Sequence, residues 1–131
     1  MSPEEFRERA VGVPWVRWRS DWQAMDCYGC VVLWHREVLG IDLHGVPKMD
    51  IASGFASISS EWVECSLEDG ATVVFTFRDG AAVHCGVLIS PTHVLHSEGS
   101  LEQPGNVRVS SLRSIRRMYG TLKTMRHAAH H

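Results

Sequence analysis

Four cysteines, Cys27, Cys30, Cys65 and Cys85, and eight histidines are the residues of this 131-residue chain whose chemistry goes beyond packing. Cys27-Tyr28-Gly29-Cys30 has C-x-x-C spacing, which alone admits a redox pair, half a zinc site or coincidence. A redox pair should follow a strand in a βαβ unit, whereas an irregular aromatic stretch precedes this one. A zinc site needs further ligands, and Cys65 and Cys85 stand outside any second C-x-x-C or H-x-x-x-H. Cys27 has another use. Asp26 is a good N-cap, so Cys27 opens a helix where unpaired N–H groups and the positive end of the dipole favour thiolate over thiol. Such a nucleophile needs a histidine to take its proton and a third group to orient that histidine. His84 lies in one predicted strand and His96 in the next, twelve residues on, so a hairpin can bring both rings to one end of a sheet. Cys30, one turn along the helix, reads as core. Cys85, which alternates away from His84 on its strand, reads as core too.

The elements that must hold these residues are legible in outline. Ser2-Pro3-Glu4-Glu5 is a capping box with proline at the first helical position, and predicts a short helix to Ala10. Trp15 to Trp22 is an irregular aromatic and basic stretch. From Asp26 to Leu39, Cys27, Cys30, Val31, Trp34 and Val38 fall at helical spacing and Gly40 is a good stop, so a buried helix is expected. Gly45-Val46-Pro47, Ser53-Gly54 and the serines from 57 to 60 suggest loops, with one helical turn at most, over residues 40–67. Strands follow at 71–77, 82–89, 93–97 and 107–110, the first two joined by Asp79-Gly80. Leu112 to Thr124 fits a closing helix with Leu112, Ile115, Tyr119 and Leu122 on its apolar face. Helices first and an antiparallel meander after them make an α+β layout.

Composition narrows the class. With 44% hydrophobic residues, 21% charged, five Trp and a net charge of −2, residues 1–131 fit one folded domain rather than a disordered or low-complexity chain. No run approaches the roughly 20 apolar residues of a membrane span, and the acidic N-terminus is unlike a signal peptide, so synthesis and first residence in the cytoplasm are expected. Charge is uneven. Residues 105–131 carry Arg108, Arg113, Arg116, Arg117, Lys123 and Arg126 with no acid, leaving seven basic against fifteen acidic groups before them. A solvated helix face or docking to an acidic partner accounts for this. Only Tyr119 lies near these cations as a base-stacking aromatic, so nucleic acid is not an expected partner. His127, His130 and His131 read as a frayed end or an opportunistic metal binder.

Taken together, Trp15, Asp26-Cys27-Tyr28-Gly29, Val83-His84-Cys85-Gly86-Val87-Leu88-Ile89 and Val94-Leu95-His96 resemble the NlpC family of papain-like cell-wall cysteine peptidases. The family pattern is Gly-x-Pro-Tyr, then Asp-Cys-Ser-Gly-Leu-Val opening a helix, then His-Val-Gly-Ile-Tyr on a strand, then a histidine on the next strand. Gly12-Val13-Pro14-Trp15, residues 26–31 and residues 84–88 match the first three elements in order, and the likeness spans about residues 10–120. Gly40-Ile41-Asp42-Leu43 after the helix also resembles the family. The resemblance implies a papain-like fold with N-terminal helices on a small antiparallel sheet and a C-terminal helix. It implies Cys27 as nucleophile, His84 as general base and His96 as the group fixing the tautomer of His84, with no cofactor and no metal. The substrate implied is a peptidoglycan stem peptide, commonly cut between D-glutamate and a diamino acid. Trp15 stands where the family has a tyrosine near the reacting carbonyl; its indole N–H can donate but not accept. Tyr28 replaces a small residue and is expected to narrow the cleft, and the resemblance implies that Trp15, Asp26 and Tyr28 line the oxyanion and substrate side of the site.

A wall hydrolase without a secretion signal needs a carrier, and compact members of the family occur in bacteriophage tails. The resemblance therefore also suggests a virion tail-tip location, with the basic C-terminal helix docking on another tail protein. Two alternatives stay open: a catalytically silent tail protein that keeps the fold, and a zinc-binding module.

Overall fold

The structure is a computed structural model that describes residues 1–130. Ser2 caps α1 (Pro3–Ala10) with the expected reciprocal bonds to Glu5, and Phe6 and Ala10 are the residues it buries. Asp26 caps α2 (Cys27–Trp34), in which every residue after Cys27 is buried. The helix predicted to Leu39 changes character at His35, where a π-helical turn, His35–Leu39, carries it to Gly40. There the His35 ring bonds to the Val31 carbonyl at 2.7 Å, and Ile41 N–H closes on the His35 carbonyl. An inserted side chain in the ladder is a recognised cause of such a turn.

Residues 40–67 hold more structure than their turn signals suggest. Asp50 caps α3 (Ile51–Ile58), and a 3₁₀ turn, Ser59–Glu61, leads into β1 (Trp62–Glu64). The meander follows as expected: β2 (Val73–Arg78), β3 (Ala81–Leu88), β4 (His93–Ser97) and β5 (Val107–Ser111). The expected closing helix is cut short. α4 (Leu112–Tyr119) ends at Gly120, and residues 121–127 form β6 (Thr121–His127). The backbone leaves the helical region at Gly120, at φ +111 and ψ −153, and only glycine fits there because a Cβ would strike the Phe77 carbonyl. β6 enters between β1 and β2, completing an antiparallel sheet of order β1-β6-β2-β3-β4-β5.

The two sheet faces are filled differently. α2 packs on one, where Cys30, Val31, Leu33, Phe75, Cys85 and Val87 share the main core. α4 covers part of the other through Ile115, against Val74 and Val94. The basic segment is divided accordingly. Arg113, Arg116 and Arg117 lie on α4, whereas Arg108 pairs with Glu98 at 3.0 Å, Lys123 sits over the Phe77 ring, and Arg126 bonds to the His130 carbonyl. His127 is not frayed: it is 8% exposed and meets the Trp62 ring edge-on. His131 lies outside the described residues. Among the described residues no helix is long and apolar enough to cross a membrane.

Candidate active site

The N-terminus of α2 is fixed from several directions. Asp26 Oδ1 accepts the Gly29 N–H at 2.7 Å and Oδ2 accepts the Trp18 N–H at 2.7 Å. Trp18 itself stands at φ +63, a backbone state seldom used outside glycine, and the Asp26 bond holds it there. Gly29 is needed because a Cβ would collide with the Arg19 carbonyl. Ser20 Oγ donates to the Gly29 carbonyl, and Ser97 Oγ on β4 donates to the Met25 carbonyl at 2.6 Å. The irregular stretch before Cys27 is therefore a collar that sets the helix start against the sheet.

With Gly29 N–H taken by the Asp26 side chain and Cys30 N–H by the Asp26 carbonyl, the capping scheme leaves the N–H groups of Cys27 and Tyr28 open. Cys27 keeps partial exposure and lines a cleft of about 350 Å³ together with His84, Trp15, Asp26 and Tyr28. Five of the six site residues expected from the sequence thus meet at one cavity. Tyr28 is 7% exposed and forms floor rather than an obstruction.

The sixth, His96, lies directly behind His84. Its Nδ1 is 2.9 Å from His84 Nε2, and its Nε2 is 2.9 Å from Ser110 Oγ on β5. Burial, then the neighbouring His84 and Arg108, push His96 down to about 3, so it is neutral at ordinary pH. A neutral His96 that donates from Nε2 to Ser110 presents a lone pair at Nδ1 to the His84 Nε2–H. His84 is then left with Nδ1 as its basic nitrogen. Two backbone features make this pairing possible. The β2–β3 ladder slips between Thr76 and Phe77, which pair with His84 and Ala82, so Val83 is bulged beside His84. Gly86, two residues on, lies under His96, whose Cβ and the Val94 side chain occupy the place a Cβ would take.

The three nearby cysteines separate by environment. Hydrogen bonding from the Cys85 thiol, then the His84 ring and its charge, hold the Cys27 thiol well below its ordinary range against the opposing effect of burial. Burial pushes Cys30 up to about 12 and raises Cys85, which also donates towards Cys27. Asp26 is raised to about 6, by burial first and the Cys27 charge second, while its two N–H donors pull the other way. Cys30 and Cys85 are fully buried core residues, as expected, but Cys85 also touches the site, which strand alternation alone does not reveal. Sequence reasoning also missed Ser110 and Tyr119. The Tyr119 ring stacks on His84 at 3.9 Å and 13°, and its hydroxyl donates to Glu98. Ser110 offers no local pattern, because its role depends on the β4–β5 register. Among the described residues no three His, Cys, Asp or Glu side chains are grouped to hold a metal ion.

No family model and no curated protein sequence matches this chain. Solved structures do resemble it. The NlpC/p60 domain of the peptidoglycan hydrolase SagA superposes with a TM-score of 0.62 over 94% of this chain and 95% of that one, at 17% identity. A Staphylococcus aureus protein of the NLP/P60 family, described as similar to lipoprotein, gives 0.61 over 92% of this chain and 39% of that one, at 16% identity. This chain therefore spans about two fifths of the second protein's length. The architecture is the α+β, papain-like fold of NlpC/p60 domains.

Proposed function

We propose that this chain is a cysteine peptidase that cleaves an amide bond in peptidoglycan stem peptides. The observation that carries the proposal is the placement of Cys27 and His84 in one cleft, with His84 Nε2 held 2.9 Å from a buried, neutral His96. The likeness of the fold to the NlpC/p60 domain of a peptidoglycan hydrolase supports the substrate class.

In the mechanism the Cys27 sulfur forms a bond to the amide carbonyl carbon, and the carbonyl oxygen takes the negative charge. The open Cys27 N–H stabilises that oxygen, with the Trp15 indole N–H as second donor. His84, holding the proton taken from Cys27, gives it to the leaving amine as the C–N bond breaks. Water, deprotonated by His84, then splits the thioester, releasing the acid and returning the proton to the thiol. His96 acts as a positioning residue: it touches His84 and not the reacting atoms.

The test is mass analysis of muropeptides after incubation with the wild-type chain and Cys27→Ala. New cleavage products from the first alone support the proposal. Cleavage by the variant would remove Cys27 from the mechanism, and no cleavage by either would favour a silent structural role for the fold.

The proposal extends to delivery by a bacteriophage tail, with Arg113, Arg116 and Arg117 of α4 docking on another tail protein. The supporting feature is the exposure of all three. Tail incorporation unchanged after replacing all three with Ala would end that part of the proposal.

A further inference from the structure

Beside the thiol, the cleft is roofed by α3 and the segment before it. Phe55 of α3 anchors the roof on the sheet, at 4.7 Å from the Phe75 ring and 5.5 Å from Phe77. Trp18 spans the opening, its indole N–H donating to the Met49 carbonyl at 3.1 Å. Val46, Pro47, Ile51 and Ile58 complete an apolar wall whose one charged residue is Asp50, the cap of α3.

The rim is apolar as well. Trp18, Met49 and Leu101 are 37%, 49% and 62% exposed, and all three line the cleft. Large apolar side chains left in water around a concavity mark a surface that something covers. The charged residues of the lining are mostly committed elsewhere. Asp26 and Asp50 cap helices, and the Arg17 guanidinium lies 4.1 Å over the Trp18 ring. Glu102 is an acid. Three carboxylates against one stacked guanidinium offer no place for a carboxylate of the substrate.

We infer that the pocket under α3 is an apolar subsite that takes an uncharged side chain of the residue supplying the scissile carbonyl. The acyl side is the part to anchor, because it stays attached to Cys27 while water enters. This rests on Cys27 being the nucleophile and narrows its substrate. A stem peptide satisfies the pocket when it presents an uncharged residue there, whereas the D-glutamyl bond suggested by the resemblance would place a carboxylate against Asp50 and Glu102.

The experiment is the rate of Cys27 alkylation by acetyl-Phe, acetyl-Leu, acetyl-Glu and acetyl-Lys chloromethyl ketones, followed by intact mass. In each, the thiolate displaces chloride and a thioether forms. Iodoacetamide serves as the reference without a side chain. The Phe and Leu reagents are expected to react at least tenfold faster than the Glu and Lys reagents. Ile51→Glu should remove that preference when each ketone rate is taken relative to the variant's own iodoacetamide rate, and Met49→Glu, at a more exposed position, repeats the test should Ile51→Glu not fold. Reaction with iodoacetamide but with all four ketones within threefold would overturn the apolar subsite. No reaction of Cys27 with iodoacetamide at neutral pH would instead overturn the nucleophile assignment.

Discussion

His96 and His35 are both wholly buried in the same domain, yet they are built into it in opposite ways. Each ring nitrogen of His96 has a partner, His84 on one side and Ser110 on the other. Among the described residues His35 bonds only through Nδ1, to the Val31 carbonyl, and its Nε2 is buried without a partner beside the rings of Trp34, Trp62 and His127. Burial lowers both, His96 to about 3 and His35 to about 4. Depressed basicity therefore does not distinguish a working histidine from a packed one. On the proposed mechanism, what distinguishes them is that the second nitrogen of His96 is wired to His84, the ring that has to be oriented.

The sharpest way to break this comparison is His96→Phe, which keeps a buried ring and deletes both bonds. Turnover should fall about 10²- to 10⁴-fold with little change in KM, the upper end being the loss seen when the residue that orients a catalytic histidine is replaced. A fall below threefold would make His96 packing alone. Gly86→Ala comes next, since the added methyl would press on the Val94 side chain, the His96 Cβ and the Leu95 carbonyl; a loss of ~10-fold or more is expected, and it should not add to His96→Phe in the double variant. Ser110→Ala removes the outer end of the relay and should cost less than tenfold, with a shift in the pH profile of turnover.

His35→Phe is the counterpart and should leave turnover within twofold. Its effect belongs to stability. Unfolded, the ring takes a proton near 6.5, whereas the folded protein refuses it until about 4, so the unfolded state gains as pH falls through that window. His35 alone should then weaken the fold by about 3 kcal/mol between pH 6.5 and 4. Thermal melting across that range should decline less steeply in His35→Phe, and an unchanged slope would contradict the assignment.

The site was more legible than the roof above it because its signals are local. Asp26 before an apolar helical run places Cys27 at a helix start whatever the rest of the chain does, and strand alternation with a twelve-residue separation pairs His84 with His96. α3 was hidden by its own turn residues. Ile51, Phe55 and Ile58 have helical spacing, but Pro47 and the Ser53-Gly54 pair read as loop. Gly54 faces Pro47 with room even for a Cβ, a tertiary neighbour that sequence does not display. β6 was mistaken for helix because Leu112 to Leu122 continues one apolar face across Gly120. The face ends at Tyr119 because the backbone leaves the helical region at Gly120, where β6 turns away and a Cβ would not clear the Phe77 carbonyl. Cys85 and Ser110 act through neighbours that only the bulge and the β4–β5 register bring near.

The central claim is that Cys27 acts as a thiolate held by the Cys85 thiol and the His84 ring. It is tested most directly by the pH dependence of Cys27 alkylation with iodoacetamide in wild type and His84→Ala. Half-maximal reactivity is expected well below the ordinary thiol value of about 8.5 in the wild type and should rise in the variant. A wild-type midpoint at the ordinary value, or one that His84→Ala leaves in place, would contradict the account.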